Sequence, residues 1–152
     1  FGGSLSGMME LYNRTGGNII ATEEVPWEET HKYGVVVKGA DVQGGFEIKG
    51  MVEKPAPGTA PSNLYINGRY ILQPEIFSIL ANQEPGAGGE IQLTDGMLKL
   101  AEKQPFFGYT YPGRTYDTGS KDGYVLANIA YAMRDKALVE MIGQEMKSLV
   151  NG

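Results

Sequence analysis

A chain of 152 residues, 41% of them hydrophobic, carries enough apolar material for one core of ordinary size or for part of a larger domain, which excludes intrinsic disorder. The absence of cysteine excludes a disulfide framework and thiolate chemistry, and suits a reducing cytoplasm. A formal charge of −5, with both signs mixed and no basic block, argues against a nucleic-acid surface, and no apolar run is long enough to span a membrane.

The chain opens on Phe1, not on an initiator methionine, and a helical pattern starts almost at once, so a fragment or processed piece of a longer protein is expected. "SLSGMMELYNRTGG" sets Leu5, Met8, Met9 and Tyr12 at helical spacing, with Ser4 as a cap and Gly16-Gly17 as a stop. "NIIATEEV" predicts a short strand. "PWEETHK" is polar, and Pro26 suits the start of a turn. "YGVVVKG" predicts a strand, "ADVQGG" a chain reversal, and "GFEIKGMVEK" a second strand, the two forming a β-hairpin or lying as neighbours. Simple alternation in that second strand puts Phe46, Ile48 and Val52 on one face and Glu47, Lys49 and Met51 on the other.

"LYINGRYIL" predicts another strand, interrupted at Gly68, and "PEIFSILANQ" a short helix with Pro74 near its start. "GAGGEIQLTDGMLKLAEKQP" is a glycine-rich loop feeding a helix whose stripe is Leu93, Met97, Leu100 and Ala101. "FFGYTYPGRTYDTG" predicts two short strands around Pro112-Gly113. Two helices close the chain. One carries Val125, Ile129, Ala132 and Met133 on one side; the other carries Leu138, Ile142, Met146 and Leu149, an apolar face that needs a docking surface. Strands alternating with helices give an α/β class.

Three stretches carry candidate chemistry. At Glu53-Lys54 a strand runs into a proline-rich loop. Alternation predicts Lys54 on the face of Phe46 and Ile48, where an ammonium is costly without an anion, and Glu53 on the opposite face at the strand mouth. Lys54 suits a phosphate and Glu53 suits sugar hydroxyls. A strand end with both groups turned to solvent reads the same residues without a ligand. In "TYDTGSKDGY", Asp117 at a strand end is placed for a divalent cation, and capping by Asp117 or Ser120 explains the same pattern. The glycines before Glu90 match neither a phosphate-binding P-loop nor a dinucleotide fingerprint, and a tight turn accounts for them. His31, the only histidine, stands in a polar stretch without a partner at ligand spacing, so a serine–histidine–aspartate site has little support.

The run "YGVV", "VEKPAPGTAPSNL", "GRYIL", "GGEIQLTD" and "YDTGSKDGY", from about Leu5 to Asp135, resembles bacterial UTP–glucose-1-phosphate uridylyltransferases. The resemblance implies a Rossmann-like nucleotidyltransferase fold of the GT-A type, a mixed sheet flanked by helices. It implies a partial domain that lacks the N-terminal nucleotide-binding half. Residues 1–135 would be the sugar-phosphate half and residues 136–152 a docking or oligomerisation helix. The implied reaction joins UTP and α-D-glucose 1-phosphate into UDP-glucose and pyrophosphate with Mg²⁺, in the cytoplasm and without nucleic acid or membrane, in a full-length homo-oligomer. By the same resemblance Lys54 holds the sugar phosphate and Glu53 the glucose hydroxyls, Gly34 brings backbone against the sugar, Gly68 and Tyr70 line the pocket, and Asp117 binds metal; Lys54 and Asp117 are the catalytic candidates. Tyr65, Asn67 and Asp122 depart from the "SNLAIVGRY" and "GSKLGY" pattern. A thymidylyl- or cytidylyltransferase half, or a non-catalytic binding or scaffold module, stands as the alternative.

Overall fold

The computed structural model describes residues 4–85 and 89–151, with the side chains of Ser4 and Asn151 outside the description, so the expected Ser4 cap falls outside it. Gly86 and Gly88 of the glycine-rich loop lie outside it as well. The chain forms two compact units, Phe1–Pro112 and Gly113–Gly152.

In the first unit α1 (Ser4–Thr15) leads into β1 (Asn18–Glu24), a 3₁₀ turn (Trp27–Lys32), β2 (Gly34–Val42), β3 (Gly45–Glu53), β4 (Leu64–Ile71), α2 (Glu75–Ala81), α3 (Leu93–Ala101) and β5 (Phe106–Thr110). Helix α1 stops where Gly16 takes φ +65°, a conformation that costs glycine nothing, and the Gly16 N–H donates to the Tyr12 carbonyl at 2.8 Å. The hairpin reverses later than expected: Asp41 and Val42 still belong to β2, and the turn is at Gln43-Gly44.

The strands hydrogen-bond in the order β1-β4-β2-β3-β5 and close into a ring, because β1 also pairs with β5. That pair is parallel and the other four are antiparallel, so the sheet is mixed. One core cluster draws on all five strands, through Ile20, Val36, Phe46, Ile48, Met51, Leu64 and Phe106, and on Ile76, Met97 and Leu100 of α2 and α3. The α3 stripe read from the sequence is the one buried here: Met97 and Leu100 are inside, with Leu93 and Ala101 packed beside them. Gly96 lets α3 approach α2 closely, since a Cβ there would meet a Leu80 methyl at 2.7 Å. Outside the ring, α1 packs Met8 and Leu11 against Ile19 and Ala21 of β1. Buried Asn18 ties the ring together. Its Nδ2 donates to Gln104 Oε1 and the Pro105 carbonyl at 3.2 and 3.3 Å, and its Oδ1 accepts the Gln73 N–H at 2.8 Å.

In the second unit an irregular segment precedes α4 (Lys121–Ala132) and α5 (Lys136–Asn151). The strand expected after Pro112-Gly113 is absent among the described residues; residues 114–117 form no regular element. Ser120 is the α4 cap, its Oγ accepting the Gly123 N–H at 3.1 Å. Asp135 Oδ1 accepts the Ala137 and Leu138 N–H groups at 2.9 and 3.3 Å at the start of α5. Both helices carry exposed apolar residues, including Val125 and Ile129 on α4, with Met133 just past its end, and Leu138, Met146 and Leu149 on α5.

Candidate functional site

The site is shaped by an irregularity in β3. Against β2, Val37 pairs with Gly50 but Lys38 pairs with Ile48, so Lys49 is an extra residue and the strand bulges. An extra residue reverses the alternation beyond it. Phe46, Ile48 and then Met51 are buried, and Val52 is turned out with 38% of its surface exposed. This corrects the simple alternation, which set Val52 inside and Met51 outside. It also corrects Lys54: beyond the bulge the inward-facing phase at the rim belongs to Glu53, two residues after Met51, and Lys54 is exposed.

Lys54 leaves the strand in a left-handed backbone conformation, φ +44°, the one non-glycine residue with positive φ among the described residues. That region is unfavourable for a residue with a Cβ. Its N–H donates to the Tyr33 carbonyl at 3.1 Å, which fixes the backbone while the side chain swings out of the strand.

Glu53 pairs with Gly34 across the β2/β3 ladder. Its Oε2 stands 2.7 Å from the point that a Cβ on Gly34 would occupy, so the carboxylate rests over bare backbone. Tyr70 on β4 is half-buried against the core, and its phenol is pushed above its ordinary value, first by burial and then by the negative charge of Glu53. Gly68 sits in a second bulge: Ile20 pairs with Tyr70 and Thr22 with Ile66, so three residues of β4 oppose Ala21 alone. Gly68 has φ +81°, and no atom lies within 4 Å of the position of a Cβ. In the same bulge the amide nitrogen and oxygen of Asn67 are both buried without a hydrogen-bond partner.

Glu53 and Lys54 share one cleft of about 320 Å³, whose other wall is Gln92, Thr94, Asp95 and Leu98, at the start of α3. These four had no assigned role in the sequence reading, although "GEIQLTD" was already a recognisable string. A wider groove of about 440 Å³, between Ser78, Ile79 and Asn82 of α2 and its end and Lys99, Glu102 and Lys103 of α3 and its end, contains none of the candidate residues. His31 is exposed in the 3₁₀ turn, and Glu90 is exposed ahead of α3.

Asp117 belongs to the second unit. It is exposed in a loop, not at a strand end as expected, and its Oδ1 accepts the Gly119 N–H at 3.0 Å while its carbonyl accepts the Ser120 hydroxyl at 2.9 Å. The capping alternative therefore belongs to Ser120, and Asp117 shapes the turn before it. Among the described residues no three histidine, cysteine, aspartate or glutamate side chains gather as a metal cluster.

Residues 4–134 match the nucleotidyl transferase family. The UTP–glucose-1-phosphate uridylyltransferase of Bacillus subtilis (strain 168) is 45% identical over 144 residues, which covers 95% of this chain and 49% of that protein. The enzyme of the same name from Staphylococcus epidermidis RP62A is 43% identical over 143 residues, covering 94% and 48%. Among solved structures, a UDP-glucose pyrophosphorylase complexed with UDP-glucose superposes with a TM-score of 0.77 at 44% identity, covering 86% of this chain and 50% of that one. A UTP-bound enzyme from Acinetobacter baumannii gives a TM-score of 0.79 at 36% identity, covering 96% and 49%. The chain spans about half the length of the curated relatives it matches.

Proposed function

The chain belongs to the nucleotidyl transferase family, and from that premise we propose that it is the sugar-phosphate half of a UTP–glucose-1-phosphate uridylyltransferase. The observation that carries the proposal is the cleft where Glu53 and Lys54, adjacent in sequence, meet the start of α3. Its volume is at the lower end of small-ligand sites, a size suited to a monosaccharide phosphate.

In this reading Lys54 meets the phosphate as a compact cation, and Glu53 accepts hydrogen bonds from sugar hydroxyls. Gly34 keeps the space under the Glu53 carboxylate free; Gly68 and Tyr70 do not line the cleft that holds Glu53 and Lys54, and their proposed part is to flank the sugar from β4. A phosphate oxygen of the sugar phosphate attacks the α-phosphorus of UTP in line, the bond to the β-phosphate oxygen breaks, and pyrophosphate leaves. No covalent enzyme intermediate is needed, so catalysis rests on positioning and on offsetting repulsion between phosphates. Lys54 contributes the part of that charge that this unit holds. Asp117, a single exposed carboxylate, would contribute one ligand to a Mg²⁺, and such an ion would supply charge neutralisation for the phosphates. UTP binding is proposed to require the part of the relatives that this chain does not match. A cytoplasmic location and a homo-oligomer of the full-length protein belong to the same proposal.

Calorimetry of the 152-residue chain with glucose 1-phosphate tests the reading. Binding that is lost in Lys54→Ala supports it. Equal heats for the two proteins would overturn it in favour of a non-catalytic module. The chain alone is expected not to make UDP-glucose, and a normal rate from it would contradict its assignment as a half-site.

A further inference from the structure

The lining of the cleft carries more charge than a phosphate site needs. Beside the Lys54 ammonium it holds two carboxylates, Glu53 from the end of β3 and Asp95 from the first turn of α3. Among the described residues none of these three charges is ion-paired with another, and all three are exposed toward the cleft. The lining of the cleft is therefore net negative by one charge. A ligand that satisfies it must bring its anionic group to Lys54 and keep negative charge away from the two carboxylates. The remaining lining, Gln92, Thr94 and Leu98, is neutral and does not offset a second anion.

From this charge arrangement we propose that Asp95 is a specificity-determining residue. It restricts the cleft to sugar 1-phosphates whose ring is neutral or cationic and excludes uronic acid 1-phosphates. The inference rests on the sugar-phosphate reading of the cleft and deepens it. With the phosphate held at Lys54, the ring lies among Glu53, Asp95, Thr94 and Gln92. Hydroxyls donate to the carboxylates and an ammonium is attracted to them, whereas a ring carboxylate faces two like charges at short range. Opposition of like charges at a recognition surface is an effective way to reject a wrong ligand. Because the cleft is open to water, the effect is screened by salt.

The test is competition calorimetry on the 152-residue chain with glucose 1-phosphate, glucosamine 1-phosphate and glucuronic acid 1-phosphate. Wild type is expected to bind the first two within about threefold of each other and the uronate about tenfold or more weakly, with the gap shrinking as salt is raised. Asp95→Asn should narrow the gap between the glucose and glucuronate ligands to about threefold, and Asp95→Ser, equally neutral, should do the same. Equal binding of glucose and glucuronate 1-phosphates to wild type would overturn the proposal, as would an unchanged gap in both variants. If glucose 1-phosphate fails to bind, or binds equally to Lys54→Ala, the sugar-phosphate reading itself falls and this inference with it. If glucose 1-phosphate depends on Lys54 while the uronate is not excluded, only the role of Asp95 is lost.

Discussion

The Glu53 carboxylate occupies the space that a side chain on Gly34 would fill, with Oε2 2.7 Å from the missing Cβ. The two residues are ladder partners, so the clearance is set by the β2/β3 register. Gly34→Ala should leave the backbone undisturbed and push the flexible Glu53 side chain aside. We expect a stability change within about 1 kcal/mol and a loss of about tenfold in glucose 1-phosphate affinity. Thermal unfolding and calorimetry on the same sample check this. Retained affinity would show that the Glu53 position does not matter to the ligand.

Lys54 carries backbone strain that its neighbours enforce. Glycine at this position removes a left-handed penalty of about 1–2 kcal/mol and gives back part of it through the entropy of the unfolded chain. Lys54→Gly should therefore be about 1 kcal/mol more stable than Lys54→Ala in urea unfolding, while both lose glucose 1-phosphate binding. Stability and binding would then move in opposite directions at one residue, as strain held at a functional position requires.

Tyr70 reports on Glu53. Burial is the larger cause of its raised pKa and the Glu53 charge the smaller one. The folded state favours the neutral phenol, so the associated stability is fully present below the unfolded pKa near 10 and is lost as pH rises through the higher folded value. Glu53→Gln should lower the Tyr70 pKa without restoring it to the ordinary value. Nuclear magnetic resonance of ring-labelled tyrosine, with Tyr70→Phe for assignment, reads it directly. A pKa that stays put in Glu53→Gln would mean that the two groups do not sense each other.

Asn67 is a departure from the family pattern with a visible cost. Both polar atoms of its amide are buried without partners, and desolvating such a group without compensation costs about 1–3 kcal/mol. Asn67→Val should raise the urea midpoint, by about 1 kcal/mol in stability, since valine also suits a strand. An unchanged or lower midpoint would point to a partner of the amide that the structure does not display.

Gly108 on β5 lies under the Phe46 ring, and a Cβ there would collide with the ring carbons. Both sit in the ring of strands at a paired register position, so neither backbone can retreat. Gly108→Ala should cost about 1–3 kcal/mol or more, and Phe46→Leu in the same chain should recover part of the loss. Additive effects of the two substitutions would contradict direct crowding.

Much of the fold was written in the periodicity. The Met97 and Leu100 stripe of α3, the Gly16 stop of α1 and the strand at Leu64–Ile71 all appear where the pattern put them. What periodicity does not carry is a change of phase. The bulge at Lys49 is decided by pairing with β2, and it exchanged the faces of Met51 and Val52. Gly50, a glycine inside a strand pattern, was the local sign of it. The same phase change turns Lys54 outward, so its ammonium is exposed at the cleft and not on the core face that simple alternation predicts. Asp95 and Thr94 were hidden for a different reason. They lie some forty residues from Glu53 in sequence, and only packing of α3 beside β3 brings them to its cleft. The β propensity of Thr115 and Tyr116 predicts a strand before Asp117, but propensity alone does not make one, and the segment forms no regular element.

Ring closure also sets a timetable for biosynthesis. Strand β1 begins at Asn18, yet its parallel partner begins at Phe106, so a ribosome delivers most of the first unit before that seam can form. Until then one flank of β1 offers unsatisfied amides and carbonyls to any passing extended peptide. Nascent chains stalled before Thr110 are therefore the species for which a chaperone should matter most.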